Sequence, residues 1–155
     1  IDMIAGPSEV LVIADHTANP TYVAADLLSQ AEHDKLASAV LLTDSMAQAQ
    51  AISCEMERMG RALPRWDIIR ESVENYGCAV VFEELTDACQ MANTIAPEHL
   101  ETCTAAPREL LPLITNAGAA DLWNGAIFLA ALNRYLLKKD ERDRILARGT
   151  RKAFG

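Results

Sequence analysis

The sequence predicts a mostly parallel, three-layer α/β sandwich with right-handed crossovers. Two observations predict it. Apolar runs and helical stretches alternate four times between Glu9 and Gly118. The apolar runs are continuous rather than alternating, as strands covered on both faces are. Helices must then pack on both sides of the sheet, and each crossover returns the chain to a parallel strand.

Each element has a local reason. EVLVIAD, Glu9 to Asp15, is a short apolar run between turn residues and reads as a buried strand. Asn19-Pro20 starts a helix, because proline tolerates the first turn. Val23, Ala24, Leu27, Leu28 and Ala31 repeat at helical spacing. Ala37 to Ser45 is a second strand, and Thr43 to Ser45 are placed to cap the helix MAQAQAISCEMERMGRAL. Pro64 opens another helix that Gly77 closes. Cys78 to Glu84 is a third strand. LTDACQMANTIA is a helix halted by Pro97, and HLETCT is a fourth strand. PRELLPLITNAG is a helix with Gly118 as its stop signal. After Gly118 the pattern fits either one apolar helix or a short strand, GAIFLA, and then a helix. The charged end KKDERDRILARGTRKAFG is helical in pattern. Ligands of parallel sheets bind at the carboxyl ends of the strands. The loops after Ala14, Asp44, Glu84 and Thr104 are therefore the first places to search.

The totals bound the function. A chain of 155 residues, half of them hydrophobic, fits one domain with a real core. The formal charge of −8 repels phosphates and anionic lipid, which argues against nucleic acid and membrane partners. That charge is uneven: Asp121 to Lys152 carries eight Lys/Arg and four Asp/Glu, a net of +4, leaving −12 for the remainder. The composition changes character near residue 119. Cys54, Cys78, Cys89 and Cys103 form no Cys-x-x-Cys pair, and free thiols in a reducing cytoplasm are the expectation. No apolar run reaches the ~18 residues of a membrane span. The chain opens at Ile1, in the lead-in to a strand, and reads as a fragment.

Three stretches offer chemistry. Gly6-Pro7-Ser8 is a turn before a strand, without the spacing of a nucleophile elbow or a dinucleotide loop, so Ser8 by itself reads as a turn serine. In LLSQAEHDKLAS, Gln30 and His33 are three apart and share a helix face. Imidazole is a common zinc ligand and a carboxamide oxygen a permissible one. The plainer alternative is a helix C-terminus whose dipole favours His33, with Glu32 and Asp34 solvated. In NTIAPEHLE, Glu98 and His99 follow a helix-ending proline, and in a turn both can reach one pocket for acid/base work. The plainer alternative there is a polar connector. His16 reads as a loop histidine, and Trp66 and Trp123 as core or interface anchors.

Taken in order, IDMIAGPSEVLVIAD, AADLLSQAEHD and NTIAPEHLE closely resemble histidinol dehydrogenase, from Ile1 to about Gly118. The resemblance implies one of two related, incomplete Rossmann-like domains in a homodimeric enzyme. It implies oxidation of L-histidinol to L-histidine, the end of histidine biosynthesis, in two steps with two NAD through an enzyme-bound aldehyde. One zinc would hold the substrate by its imidazole and amino groups. By the same resemblance Gln30 and His33 are zinc ligands that also touch substrate, and Ser8 contacts histidinol. His99 takes the hydroxyl proton, and Glu98 activates the water that attacks the aldehyde.

The departures define a second segment. The family continues through a Gly-Asp-Tyr segment, a GPNHVLPT segment and a tail that lends a histidine across the dimer. Here NAGA runs into ADLWNGAIFLAALNRYLLKKDERDRILARGTRKAFG. The expected organisation is therefore a zinc- and substrate-binding domain over 1–118 and a divergent, helical tail over 119–155. The family's first domain, with most of its NAD contacts, precedes Ile1. The chain alone is expected to lack turnover. The alternative is a zinc- or imidazole-binding module, or a structural remnant, without catalysis.

Overall fold

The computed structural model describes residues 8–115. The expectations for Gly6-Pro7, Gly118, Trp123 and the tail over 119–155 fall outside the described residues.

Four strands form one sheet: β1 (Glu9–Ala14), β2 (Ser38–Thr43), β3 (Cys78–Val81) and β4 (His99–Cys103). The order is β3-β2-β1-β4, and every pairing is parallel. All six residues of β1 and of β2 are buried, which is why these runs do not alternate with polar residues.

Helices α1 (Pro20–Ala31), α2 (Met46–Gly60) and α3 (Trp66–Tyr76) cover one face. Val10, Val12, Ala39 and Leu41 meet Val23, Leu27, Ile52 and Ile69 there. Helix α4 (Leu85–Ile95) and the short α5 (Pro107–Leu110) cover the other, where Leu11, Ile13, Val40 and Leu42 meet Cys89, Met91 and Leu110. The expected three-layer α/β architecture is therefore present.

The caps follow the sequence signals. Asn19 accepts the Thr21 N–H at 2.9 Å to start α1, with Pro20 in the first turn. Ser45 caps α2 by accepting the Gln48 N–H. Helix α4 stops at Ile95, because Pro97 disfavours helical backbone at the residue before it. Ala96 takes up a left-handed conformation instead, with φ of 53°.

Several boundaries differ from expectation; β3, for example, ends at Val81 rather than Glu84. Helix α3 begins at Trp66, two residues after Pro64. Gly77 does close it, but with extended backbone rather than a left-handed turn. Glycine is required by space: a Cβ there would lie 2.6 Å from the Val73 carbonyl oxygen. The helix expected over Pro107 to Gly118 is only α5 and a 3₁₀ turn, Leu111–Leu113. Pro112 has no N–H to give and its ring would clash with the carbonyl four residues back, so an α-helix cannot continue through it.

Candidate active site

The sheet has two edges, and they are used differently. At the carboxyl edge, Asp15 leaves β1 and is 6% exposed. Its Oδ1 accepts the Thr17 N–H at 2.8 Å and the Thr17 hydroxyl at 2.6 Å, and its Oδ2 accepts the Ala105 N–H at 2.7 Å. Burial opposes ionisation of Asp15, but these hydrogen bonds outweigh it and hold the carboxyl below the usual carboxylate range. The loops after β1 and β4 are thereby tied together. His16 is exposed, 3.6 Å from Asp44 at the same edge, and remains a loop histidine.

The five residues expected to carry function lie at the opposite, amino edge. Ser8 directly precedes β1, and its carbonyl accepts the Ser38 N–H at the start of β2. Helix α1 runs back against the strands, so its C-terminal residues return to this edge. Gln30 is half-buried in its last turn, and His33 is exposed just beyond it. Glu98 and His99 stand where β4 begins. The carboxyl-edge rule thus points away from all five.

Register brings the second and third motifs together. His99 pairs with Val10, whose side chain enters the α1 face. Alternation along β4 then puts His99, Glu101 and Cys103 on that face. Cys103 packs against the α1-side core, as this requires, while Leu100 packs on the other side. On α1, Asp26 lies against Glu101 and Cys103, their ligand atoms all within 4.8 Å of one another. Gln30 is one helical turn from Asp26, about 6 Å along the axis. His99 is two strand residues from Glu101, about 6.6 Å. The two steps match and run toward the same edge, so Gln30 falls at the level of His99.

The layer below is acidic and partly buried. Glu101 is held above the usual carboxylate range by burial, then by the charge of Asp26 and a hydrogen bond with it; His99 acts weakly in the other direction. The Cys103 thiol is pushed up by burial and by Asp26, Glu101 and Asp15. This trio therefore reads as a Glu101 carboxyl held toward its protonated form, hydrogen-bonded to Asp26 beside a neutral thiol. Asp26 lies 75 and 77 positions before Glu101 and Cys103 in the chain, so no linear spacing could have revealed the trio.

Around the edge, local contacts fix the backbone. Asp34 accepts the Leu36 N–H at 2.8 Å and closes the turn after α1, which gives that residue a role. The Glu32 N–H bonds back to Leu28 and closes the helix. Arg65 donates to the His33 carbonyl at 3.2 Å. His99 Nε2 is 3.8 Å from Glu98 Oε1, and both side chains are exposed. That distance suits a bridging water better than a direct hydrogen bond. The Glu98 N–H donates to Glu9 Oε1 at 3.1 Å. Glu9 was unassigned by sequence, although it ends the GPSE motif.

The residues present fit half of a zinc site. Gln30 and His33 offer one carboxamide oxygen and one imidazole from one helix end, where a closed site takes four ligands. No nucleotide cradle fits among the described residues. The loop after β1 holds an anionic Asp15 instead of a glycine turn, and it is already tied to Ala105. A groove of roughly 260 Å³ between α2 and α3 is lined by Met56, Arg61, Trp66 and Val73 among others, and by none of the five residues. Trp66 there carries Arg61 over its ring at 5.8 Å.

Comparison with known proteins agrees with the motifs. The sequence profile of a family described as histidinol dehydrogenase matches residues 1–132. Histidinol dehydrogenase of Bacillus subtilis (strain 168) is 56% identical over 119 residues, covering 77% of this chain and 28% of that protein. The Aquifex aeolicus (strain VF5) histidinol dehydrogenase is 55% identical over the same shares. A crystal structure of histidinol dehydrogenase from Elizabethkingia anophelis superposes with a TM-score of 0.72 at 41% identity, covering 76% of this chain and 27% of that one. The chain therefore spans little more than a quarter of the relatives it matches.

Proposed function

Since this chain belongs to the histidinol dehydrogenase family, we propose that it supplies the zinc- and substrate-binding part of an NAD-dependent enzyme that oxidises L-histidinol to L-histidine in the cytoplasm. The observation that carries the reading is the convergence of Ser8, Gln30, His33, Glu98 and His99 on one edge of the sheet, from three separate motifs. In this reading 1–118 is the binding domain and 119–155 a divergent tail, of which the family profile still covers residues 119–132. The strand order matches the first four strands of a doubly wound dinucleotide fold, which supports a Rossmann-like origin.

Each residue has a role set by its chemistry. Gln30 and His33 would hold a zinc ion from the end of α1. The ion would supply orientation, so that one carbon of the substrate could be presented for both oxidations. Ser8 gives a hydroxyl to the bound histidinol. His99 accepts the alcohol proton, because an imidazole ring nitrogen can take and return a proton as a general base. Glu98, 3.8 Å away, accepts a proton from the water that adds to the aldehyde. NAD contacts and the remaining ligands come from other parts of the homodimeric enzyme, since two protein ligands are fewer than the three of catalytic zinc sites.

Calorimetry tests this. The chain should bind zinc, and L-histidinol more tightly with zinc than without; His33→Ala should abolish both effects. With NAD and histidinol the pure chain should form no NADH. Zinc binding unchanged in His33→Ala would contradict the reading.

A further inference from the structure

We propose that Glu9 is a positioning residue for the Glu98–His99 pair, acting from the opposite face of the sheet through the Glu98 backbone amide. The proposal rests on the histidinol reading for what that pair does, and on geometry alone for how it is held.

Glu9 is out of place in an apolar strand. It is 2% exposed, and the rest of β1 is Val, Leu, Ile and Ala. A buried carboxyl group costs stability unless its oxygens accept hydrogen bonds. Its Oε1 accepts the Glu98 N–H at 3.1 Å, across 89 positions of sequence. Alternation puts Glu9 on the α4 side with Leu11 and Ile13, while Val10 and its register partner His99 face α1. Glu9 therefore lies under the corner, on the far side of the sheet from the His99 ring.

The corner needs such an anchor. Ala96 sits in the left-handed region at φ of 53°, which a side-chain-bearing residue adopts only when its surroundings impose it. Pro97 is buried and has no N–H to contribute. Strand β4 is at the edge of the sheet among the described residues and pairs with β1 alone. The direction in which Glu98 and His99 leave the corner is thus set by the Ala96 turn, by Pro97 packing and by the Glu9 oxygen.

The test uses the 155-residue chain, labelled for amide NMR, as wild type, Glu9→Ala and Glu9→Gln. In wild type the Glu98 amide should exchange slowly, like a strand amide. Glu9→Ala should speed its exchange by about tenfold, since a buried hydrogen bond is lost. Zinc chloride should still shift the His33 signals in that variant, whereas L-histidinol added with zinc should no longer shift His99. Glu9→Gln keeps a carbonyl oxygen and should restore both the slow exchange and the His99 response. A general loosening of the fold would move His33 and His99 alike and would not be rescued by Gln. Unchanged Glu98 exchange in a folded Glu9→Ala overturns the proposal. If Glu9→Ala does not fold, fast Glu98 exchange in wild type or in a folded Glu9→Gln overturns it instead. Absence of any shift with zinc and histidinol in wild type sinks the histidinol reading, while the Glu98 exchange rates still decide how the corner is held.

Discussion

Asp15 Oδ2 accepts the Ala105 N–H at 2.7 Å, joining the loop after β1 to the loop after β4 at the carboxyl edge. The bond occupies the crevice between β1 and β4, and it puts an anion where a dinucleotide fold receives phosphate.

This contact should make stability depend on pH. The Asp15 carboxyl lies below its ordinary value of 3.8 in the folded chain. Its contribution is therefore present in full above about pH 4 to 5 and is lost as pH falls through the folded value. Asp15→Asn should cost roughly 1–3 kcal/mol at pH 7, from lost charge-assisted hydrogen bonds. The gap from wild type should narrow in acid. Melting curves from pH 7 down to pH 2 check this, and a gap that stays constant would contradict it.

The Asp26–Glu101 pair should act with the opposite sign. The folded value of Glu101 lies above its ordinary 4.5, so between the two the folded state binds more protons than the unfolded state. Stability then falls as pH rises through that window. Glu101→Gln keeps a neutral polar group and removes the fall. It should match wild type near pH 4 and equal or exceed it at pH 7. Melting temperatures of the two proteins across this range decide the point; parallel curves would count against a raised Glu101 carboxyl.

Gly77→Ala should destabilise the fold although the backbone there suits any residue. The new Cβ would meet the Val73 carbonyl oxygen at 2.6 Å and the Val73 Cα at 3.0 Å, and backbone atoms cannot step aside without moving α3. About 1–3 kcal/mol is expected, the usual cost of forced overpacking. Urea denaturation would measure it, and a neutral or stabilising result would show that the α3–β3 junction gives way freely.

The sequence made the layers legible because burial on both faces leaves β1 and β2 wholly apolar, and because Asn19, Ser45 and Pro97 act locally. Pro112 was equally local and should have ended the last helix. The five residues of the proposed site were legible as motifs but not as one place, because their meeting depends on the β1–β4 register and on the return of α1. Glu9, Asp26 and Glu101 escaped notice for the same reason: each acts through a partner on an element distant in sequence. The carboxyl-edge rule pointed to the loops after Ala14 and Thr104, which Asp15 ties together, whereas Ser8, Gln30, His33, Glu98 and His99 lie at the other edge.

Zinc and L-histidinol should meet this chain at the amino edge of the sheet. Amide chemical-shift mapping during titration with zinc chloride and then L-histidinol reads this out. Shifts are expected at Ser8, Gln30, His33, Glu98 and His99, with His16, Asp44 and Ala105 unmoved. Shifts centred on the carboxyl-edge loops, or on the groove between α2 and α3, would contradict it.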